Sequence, residues 1–122
     1  MPIAKINIDE KFARLGDADY AMGVVARMND YEFKIVKFKG DFVWHSHPDT
    51  DETFIILDGT MIMHFRDGVV EVSSGEMIVV PKGVEHKPSS VKGYRALLIE
   101  PEGVSNTGSA DSKLSIDRPE WL

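Results

Sequence analysis

Three histidines and one glutamate in this 122-residue chain fall at spacings that read as a single metal site. His45 and His47 lie two apart, so on a strand both imidazoles leave the same face. Glu52 follows five residues later, just ahead of an apolar run. His86 comes after a Pro81-Lys82-Gly83 turn that closes another apolar run. Three imidazoles and one carboxylate suit a first-row divalent ion: zinc, iron, manganese or nickel. Four protein ligands would leave an octahedral ion two positions for water or substrate. Neutral imidazoles with one carboxylate leave a divalent site a single net positive charge. Such a site favours anionic bidentate ligands such as enolates, hydroxy-acids or carboxylates.

Ligands of this kind must converge from separate strands, and the pattern supplies strands. Helical periodicity is weak; the best candidate is one short helix over Glu10 to Leu15, with Asp9 as N-cap and Gly16 as terminator. From Tyr20 on, short strand-like runs alternate with turn residues. They are Tyr20 to Met28, Glu32 to Lys39, Phe42 to His47, Thr53 to Leu57, Met61 to Arg66, Val69 to Val72, Met77 to Val80, and Arg95 to Ile99, with His86 opening the segment before the last. Asp67-Gly68 is a strong hairpin signal. Regular short strands with Gly-rich turns indicate an all-β sandwich or barrel. Met77 to Val80 reads as a strand buried on both faces. The length suits one domain, residues 1–122, with a barrel core over about residues 20–100. The net charge of −6 argues against nucleic acid or an anionic membrane as partner. With no cysteine there is no disulfide framework, no thiolate ligand and no cysteine nucleophile. No apolar run reaches the length of a membrane span, and the first ten residues lack the apolar core of a signal peptide. The expectation is a soluble, cytoplasmic protein.

Two segments carry a resemblance. Gly40 to Gly59 resembles the first signature of the cupin superfamily: a Gly, a His-x-His pair, a Glu, and a Gly after six further residues. Gly40 precedes His45 by one residue fewer than the usual spacing, whereas His47, Glu52 and Gly59 are in register. Gly75 to Ser90 resembles the second signature: Gly75, five residues, Pro81-Lys82-Gly83, two residues, His86. That signature commonly ends in an Asn four residues after the His, where Ser90 stands here. The runs Asn29-Asp30-Tyr31-Glu32, Val43-Trp44-His45-Ser46-His47, and Glu100-Pro101-Glu102-Gly103 with Asn106-Thr107-Gly108 are similar to a group of small, single-domain cupins without a settled activity. The resemblance implies a double-stranded β-helix, a jelly-roll barrel of two facing antiparallel sheets. It also implies His45, His47, Glu52 and His86 as metal ligands, and a homodimer in which residues 1–16 and 114–122 dimerise or cap the barrel. A small-molecule ligand is the expected partner.

Other residues are weighed against these. Asp51 is the rival carboxylate, but the six-residue interval to Gly59 selects Glu52 and leaves Asp51 solvated or supporting a ligand. His64, between Met63 and Phe65, faces away from the core if its neighbours face in, as a surface or interface histidine. Trp44, Phe42, Phe54, Phe65, Met61, Met63 and Met77 read mostly as core, and Arg66, Arg95, Lys82 and Lys87 as solvated charge. Tyr31 and Tyr94 are candidate proton donors that nothing local selects, and the terminal Trp121-Leu122 should pack on the barrel or on a second subunit. The site suits a metal-dependent dioxygenase or isomerase on a small oxygen-rich molecule, or a non-catalytic metal or small-ligand binding module.

Overall fold

The computed structural model describes residues 3–110, 112–116 and 119–122. One short helix, α1 (Ile8–Ala13), precedes seven strands: β1 (Tyr20–Met28), β2 (Tyr31–Asp41), β3 (Glu52–Phe65), β4 (Gly68–Ser73), β5 (Met77–Val80), β6 (His86–Pro101) and β7 (Glu120–Trp121). They form one hydrogen-bonded sheet in the order β4-β3-β6-β2-β1-β7, with β5 also paired to β3. All pairings are antiparallel except β1 with β7. The architecture is all-β, as expected, and the two facing sheets of the expected jelly roll are here one continuous hydrogen-bonded sheet. No helix among the described residues is long and apolar enough to cross a membrane.

The joining explains why two expected pairs of short strands are two long ones. Asp58-Gly59 reads as a turn between Thr53–Leu57 and Met61–Arg66, yet β3 runs through it as a bulged corner. Pairing of β3 with β6 slips between Ile56 and Asp58 and again between Gly59 and Ile62. Gly59 holds φ +78°, and a Cβ there would run into the Gly93 carbonyl. Only glycine lets the two chains cross so closely. Ser90 ties the same corner, its hydroxyl donating to the Thr60 carbonyl at 2.6 Å and accepting from Gly93 N at 3.0 Å.

Three other local expectations shift. The helix starts earlier because Asn7, rather than Asp9, caps it by accepting from Glu10 N at 3.0 Å. Phe42 to His47 is not a ladder strand. It meets β6 through one bridge, His45 with His86, and through Phe42 N donating to the Pro88 carbonyl at 3.0 Å, because the Val43 carbonyl between them is diverted to the His45 ring. β5 is not buried on both faces: Met77 is 57% and Val79 50% exposed, since β5 is paired only to β3 and its outer side is uncovered.

The core fills the barrel with alternate residues: Val36 and Phe38 from β2, Phe54, Ile56, Met61 and Met63 from β3, and Tyr94, Ala96 and Leu98 from β6. Parts of both terminal segments lie against the barrel, while Ile3 and Ile6 are exposed; Met1, Pro2, Asp117 and Arg118 fall outside the described residues. Phe12 of α1 is buried under Arg95, whose guanidinium sits 4.6 Å over its ring. Lys11 donates to the Leu122 carbonyl, and the Leu122 side chain packs on Gly23. Trp121 itself stays about half exposed, with Arg27 5.5 Å over its ring. Leu114 and Ile116 pack against the core.

Candidate metal centre

The four donors come from three places. The His45–His86 bridge closes with His45 N to His86 O at 3.0 Å and His86 N to His45 O at 2.9 Å. Two residues on, His47 O accepts from Gly83 N at 2.9 Å, so the turn that precedes His86 is pinned beside the His-x-His pair. Glu52 opens β3 and His86 opens β6. The barrel end thus gathers His45, His47, Glu52 and His86, all buried, with ligand atoms within 4.8 Å of one another. Ring centroids are 4.3 Å apart for His45 and His86, 5.1 Å for His45 and His47, and 5.7 Å for His47 and His86.

The backbone fixes which nitrogens face inward. His45 Nδ1 lies 2.8 Å from the Val43 carbonyl, and His86 Nδ1 2.9 Å from the Val84 carbonyl. A carbonyl only accepts, so each Nδ1 carries the proton and each Nε2 presents its lone pair. His86 Nε2 then meets Glu52 Oε1 at 3.0 Å, and His47 Nε2 stands 3.1 Å from Glu52 Oε2. The His47 contact is close but out of line for a hydrogen bond, so both of its ring nitrogens are buried without a partner among the described residues. An unpaired buried polar group costs about 1–3 kcal/mol. Two acceptors facing each other at 3 Å need a cation between them, either a proton on the imidazole or a metal ion. The donors present fit a divalent ion in type, number and direction.

Electrostatics agree. Burial alone would raise the Glu52 carboxyl, but the His47 and His86 imidazoles outweigh it and hold the carboxyl below its usual range. Burial, helped by His86, lowers His45 to about 4, so its ring is neutral at pH 7, the form a metal requires.

Behind Glu52 lies a charged row that strand alternation conceals. Lys34 is 1% and Glu100 0% exposed, joined at 2.8 Å. Lys34 also lies 3.8 Å from Glu32, which meets Arg27 at 3.2 Å. Arg27 reaches the surface and Glu102 at 2.9 Å. Glu100 pairs with Glu32 across β6 and β2, and sits one step beyond the Thr53–Ile99 pair, beside Glu52. Burial first, then the Glu52 charge, raises the Glu100 carboxyl to about 8, and its Oε2 is buried without a partner among the described residues. The signal available in the sequence is parity: Lys34 shares a face with Val36 and Phe38, and Glu100 with Ala96 and Leu98.

A cavity of about 30 Å³ opens beside His45 and Glu52, lined by aromatic and aliphatic side chains with Tyr20, Tyr94 and Asn106 among them. Burial raises both phenols, Tyr20 to about 12, so both stay protonated at neutral pH. Tyr20 and Asn106 are site residues that the sequence reading did not pick out. Tyr31, an expected alternative donor, is exposed on the β1–β2 hairpin, away from the cluster. Asp51 is exposed, and its Oδ1 accepts from Lys82 N at 2.9 Å, so it holds the turn before His86 rather than joining the donors. His64 lies apart from the cluster, 2.8 Å from the Ser89 hydroxyl. Trp44 points away, with the Arg66 guanidinium 3.8 Å over its ring. Gly108 presses on the back of the pair: a Cβ there would strike the Ser46 carbonyl and lie 3.0 Å from His47 Nδ1. Ser109 N donates to Ser46 O at 2.9 Å, which binds the C-terminal loop to the ligand segment.

Comparison with known proteins places this geometry. A family model described as "Cupin domain" matches residues 34–99, which include all four donors. A cupin-2 domain containing protein from Shewanella frigidimarina NCIMB 400, of known crystal structure, is similar at 48% identity and TM-score 0.76, over 80% of this chain and 94% of its own. Protein NMB1881 from Neisseria meningitidis is 33% identical with TM-score 0.73, over 81% of this chain and all of its own, 100%. The uncharacterized protein YdbB of Bacillus subtilis (strain 168) is 34% identical over 67 residues, 54% of this chain and 59% of that protein, so the match spans less than two thirds of the curated relative.

Proposed function

Since this chain belongs to the cupin family, we propose that it binds one divalent transition metal (zinc, iron, manganese or nickel) through His45, His47, Glu52 and His86. We propose further that it acts as a metal-dependent enzyme, a dioxygenase or isomerase, on a small oxygen-rich molecule. The observation that carries the metal reading is the donor chemistry. Backbone carbonyls take the Nδ1 protons of His45 and His86, and the freed lone pairs converge with the unpaired His47 ring on a buried carboxylate. A divalent ion there would supply a Lewis acid for a carbonyl or enediol oxygen, or oxygen chemistry if redox-active. Glu52 and His45 border the cavity, so a ligand placed there lies against the donors and out of bulk water.

A second reading, a non-catalytic metal or small-ligand binding module, is favoured by one feature. Among the described side chains lining that cavity the only bases are His45 and Glu52, both committed to the ion. Metal analysis of protein purified without chelator, with His45→Ala, His47→Ala and His86→Ala variants, tests the centre. Stoichiometric metal lost in each variant is expected; unaltered affinity in His86→Ala would remove it from the ligand set. Oxygen uptake and isomerisation across diketones and hydroxy-acids separate the two readings, since tight binding with uniform inactivity selects the module.

The proposed assembly is a homodimer. The outer face of β5, β3 and β6 carries Met77, Ile55 and Leu97 in one row and Val79, Thr53 and Ile99 in the next, with the exposed Ile3 and Ile6 on the N-terminal arm. Light scattering should give twice the chain mass, and Met77→Lys with Val79→Lys should give the chain mass if that face is the interface. A cytoplasmic location is proposed on the lack of cysteine alone.

A further inference from the structure

The cavity beside His45 and Glu52 is lined by three polar side chains with no part in binding the ion, Tyr20, Tyr94 and Asn106, and two of them, Tyr20 and Asn106, are joined to each other. Asn106 is buried and its amide is fixed on both sides. Its Oδ1 accepts from Ile116 N at 2.6 Å, and its Nδ2 donates to the Leu114 carbonyl at 2.8 Å. The other Nδ2 proton therefore goes to the Tyr20 oxygen, also at 2.8 Å. Tyr20 receives this hydrogen bond, and its own proton has no acceptor among the described residues. The ring cannot swing away: it meets Phe38 and Phe42 edge-on at 5.5 Å each, and Phe42 meets His45 at 5.3 Å. A pre-aimed O–H next to the metal donors is thus left over for whatever enters the cavity.

We propose that Tyr20 donates this hydrogen bond to an oxygen of a small two-oxygen chelating anion at the His45–Glu52 edge, and that the ligand's remaining group is apolar and about the size of a methyl. This rests on the metal reading above and names its ligand class. About 30 Å³ admits only one or two water-sized groups. Apart from Tyr20, Tyr94 and Asn106, the lining beyond the donors is apolar, with Met22, Val36, Phe38, Phe54 and Leu98 in it, so a second charged head would be desolvated with no opposite charge to offset it. Asn106 acts through Tyr20 as a positioning residue.

The test uses the full chain loaded with cobalt(II) and titrated with acetohydroxamate, a two-oxygen chelator bearing one methyl, following the visible cobalt bands. Benzohydroxamate serves as the oversized probe. Wild type should bind acetohydroxamate at least about tenfold more tightly than benzohydroxamate. Tyr20→Phe should keep its cobalt affinity and lose about tenfold in acetohydroxamate affinity, the value of one hydrogen bond to a charged group. Asn106→Asp, whose carboxylate would take the Tyr20 proton itself, should show the same loss. Equal acetohydroxamate affinity in wild type and Tyr20→Phe overturns the assignment, as does loss of cobalt in Tyr20→Phe, which would make the residue a support of the donors. Equal binding of the two hydroxamates overturns the size limit. Wild type that takes up no cobalt defeats the metal reading, and the inference with it.

Discussion

Replacing His45 with Asn should make metal-free protein less sensitive to acid. Burial first, and the His86 ring second, hold His45 near 4, against an ordinary value of 6.5. As pH falls, the unfolded chain therefore takes up a proton on this ring before the folded protein does. The stability contributed by a neutral His45 is complete above about 6.5 and is lost progressively down to about 4. Between pH 7 and pH 5 the unfolded ring goes from mostly neutral to almost wholly charged, while the folded ring stays neutral. Integrating the difference gives a loss of about 2 kcal/mol. Glu100 titrates in the opposite sense. Its carboxyl is raised to about 8, so its contribution is complete below the ordinary carboxylate range and lost as pH rises toward 8. Total stability therefore mixes the two, and the comparison with His45→Asn isolates the imidazole. Urea denaturation in excess EDTA at both pH values supplies the four free energies. Wild type should lose about 2 kcal/mol more than the variant on going from pH 7 to pH 5. Equal losses would refute the argument, because a ring that titrates alike folded and unfolded is not buried in its neutral form.

Other expectations concern the charged row, the corner, the loop and the ion. With its carboxyl raised to about 8, Glu100 is mostly protonated at pH 7, so Lys34→Met removes a buried hydrogen-bond partner and should cost about 1–3 kcal/mol in urea denaturation at that pH, whereas Lys34→Met with Glu100→Leu should recover most of it. Gly59→Ala forces a side chain at φ +78° into the Gly93 carbonyl and should lower unfolding free energy by about 2 kcal/mol or more, with a matching fall in Tm. Gly108→Ala pushes the C-terminal loop off Ser46 and His47, so metal affinity in a chelator competition should drop more than barrel stability does. Metal at about one hundred times its Kd should add about 2.7 kcal/mol to unfolding, and EDTA should remove that increment.

Much of the fold was legible because its signals are local. Tyr20–Met28 and Met77–Val80 keep their expected bounds, since Asn29-Asp30 and Pro81 stop strands wherever they stand. Asp58-Gly59 misled because the same dipeptide serves a turn or a bulged corner, and the difference lies in the chain crossing it at Gly93. Phe42 to His47 misled because its alternation is strand-like while its carbonyls go to a ring nitrogen, a single bridge, the Gly83 turn and the Ser109 loop. The charged row was illegible for an opposite reason. Lys34 and Glu100 break the polar-outward rule, and only their mutual burial, 66 positions apart in the chain, makes that tolerable.

The sequence by itself determined the chemical identities: three imidazoles, a carboxylate, the glycines that let the chain turn, and strands enough for a barrel. Those follow from residue type and short spacing. Tertiary structure decided which lone pairs face the same point, because the Val43 and Val84 carbonyls set the tautomers and the His45–His86 bridge sets the approach. It also decided that Tyr20, from the first strand, and Asn106, from beyond the sixth, share a hydrogen bond in the lining of the cavity. Spacing along the chain carries no information about such a contact, since strand register and the bends at Gly59 and Gly93 bring distant residues to one end of the barrel.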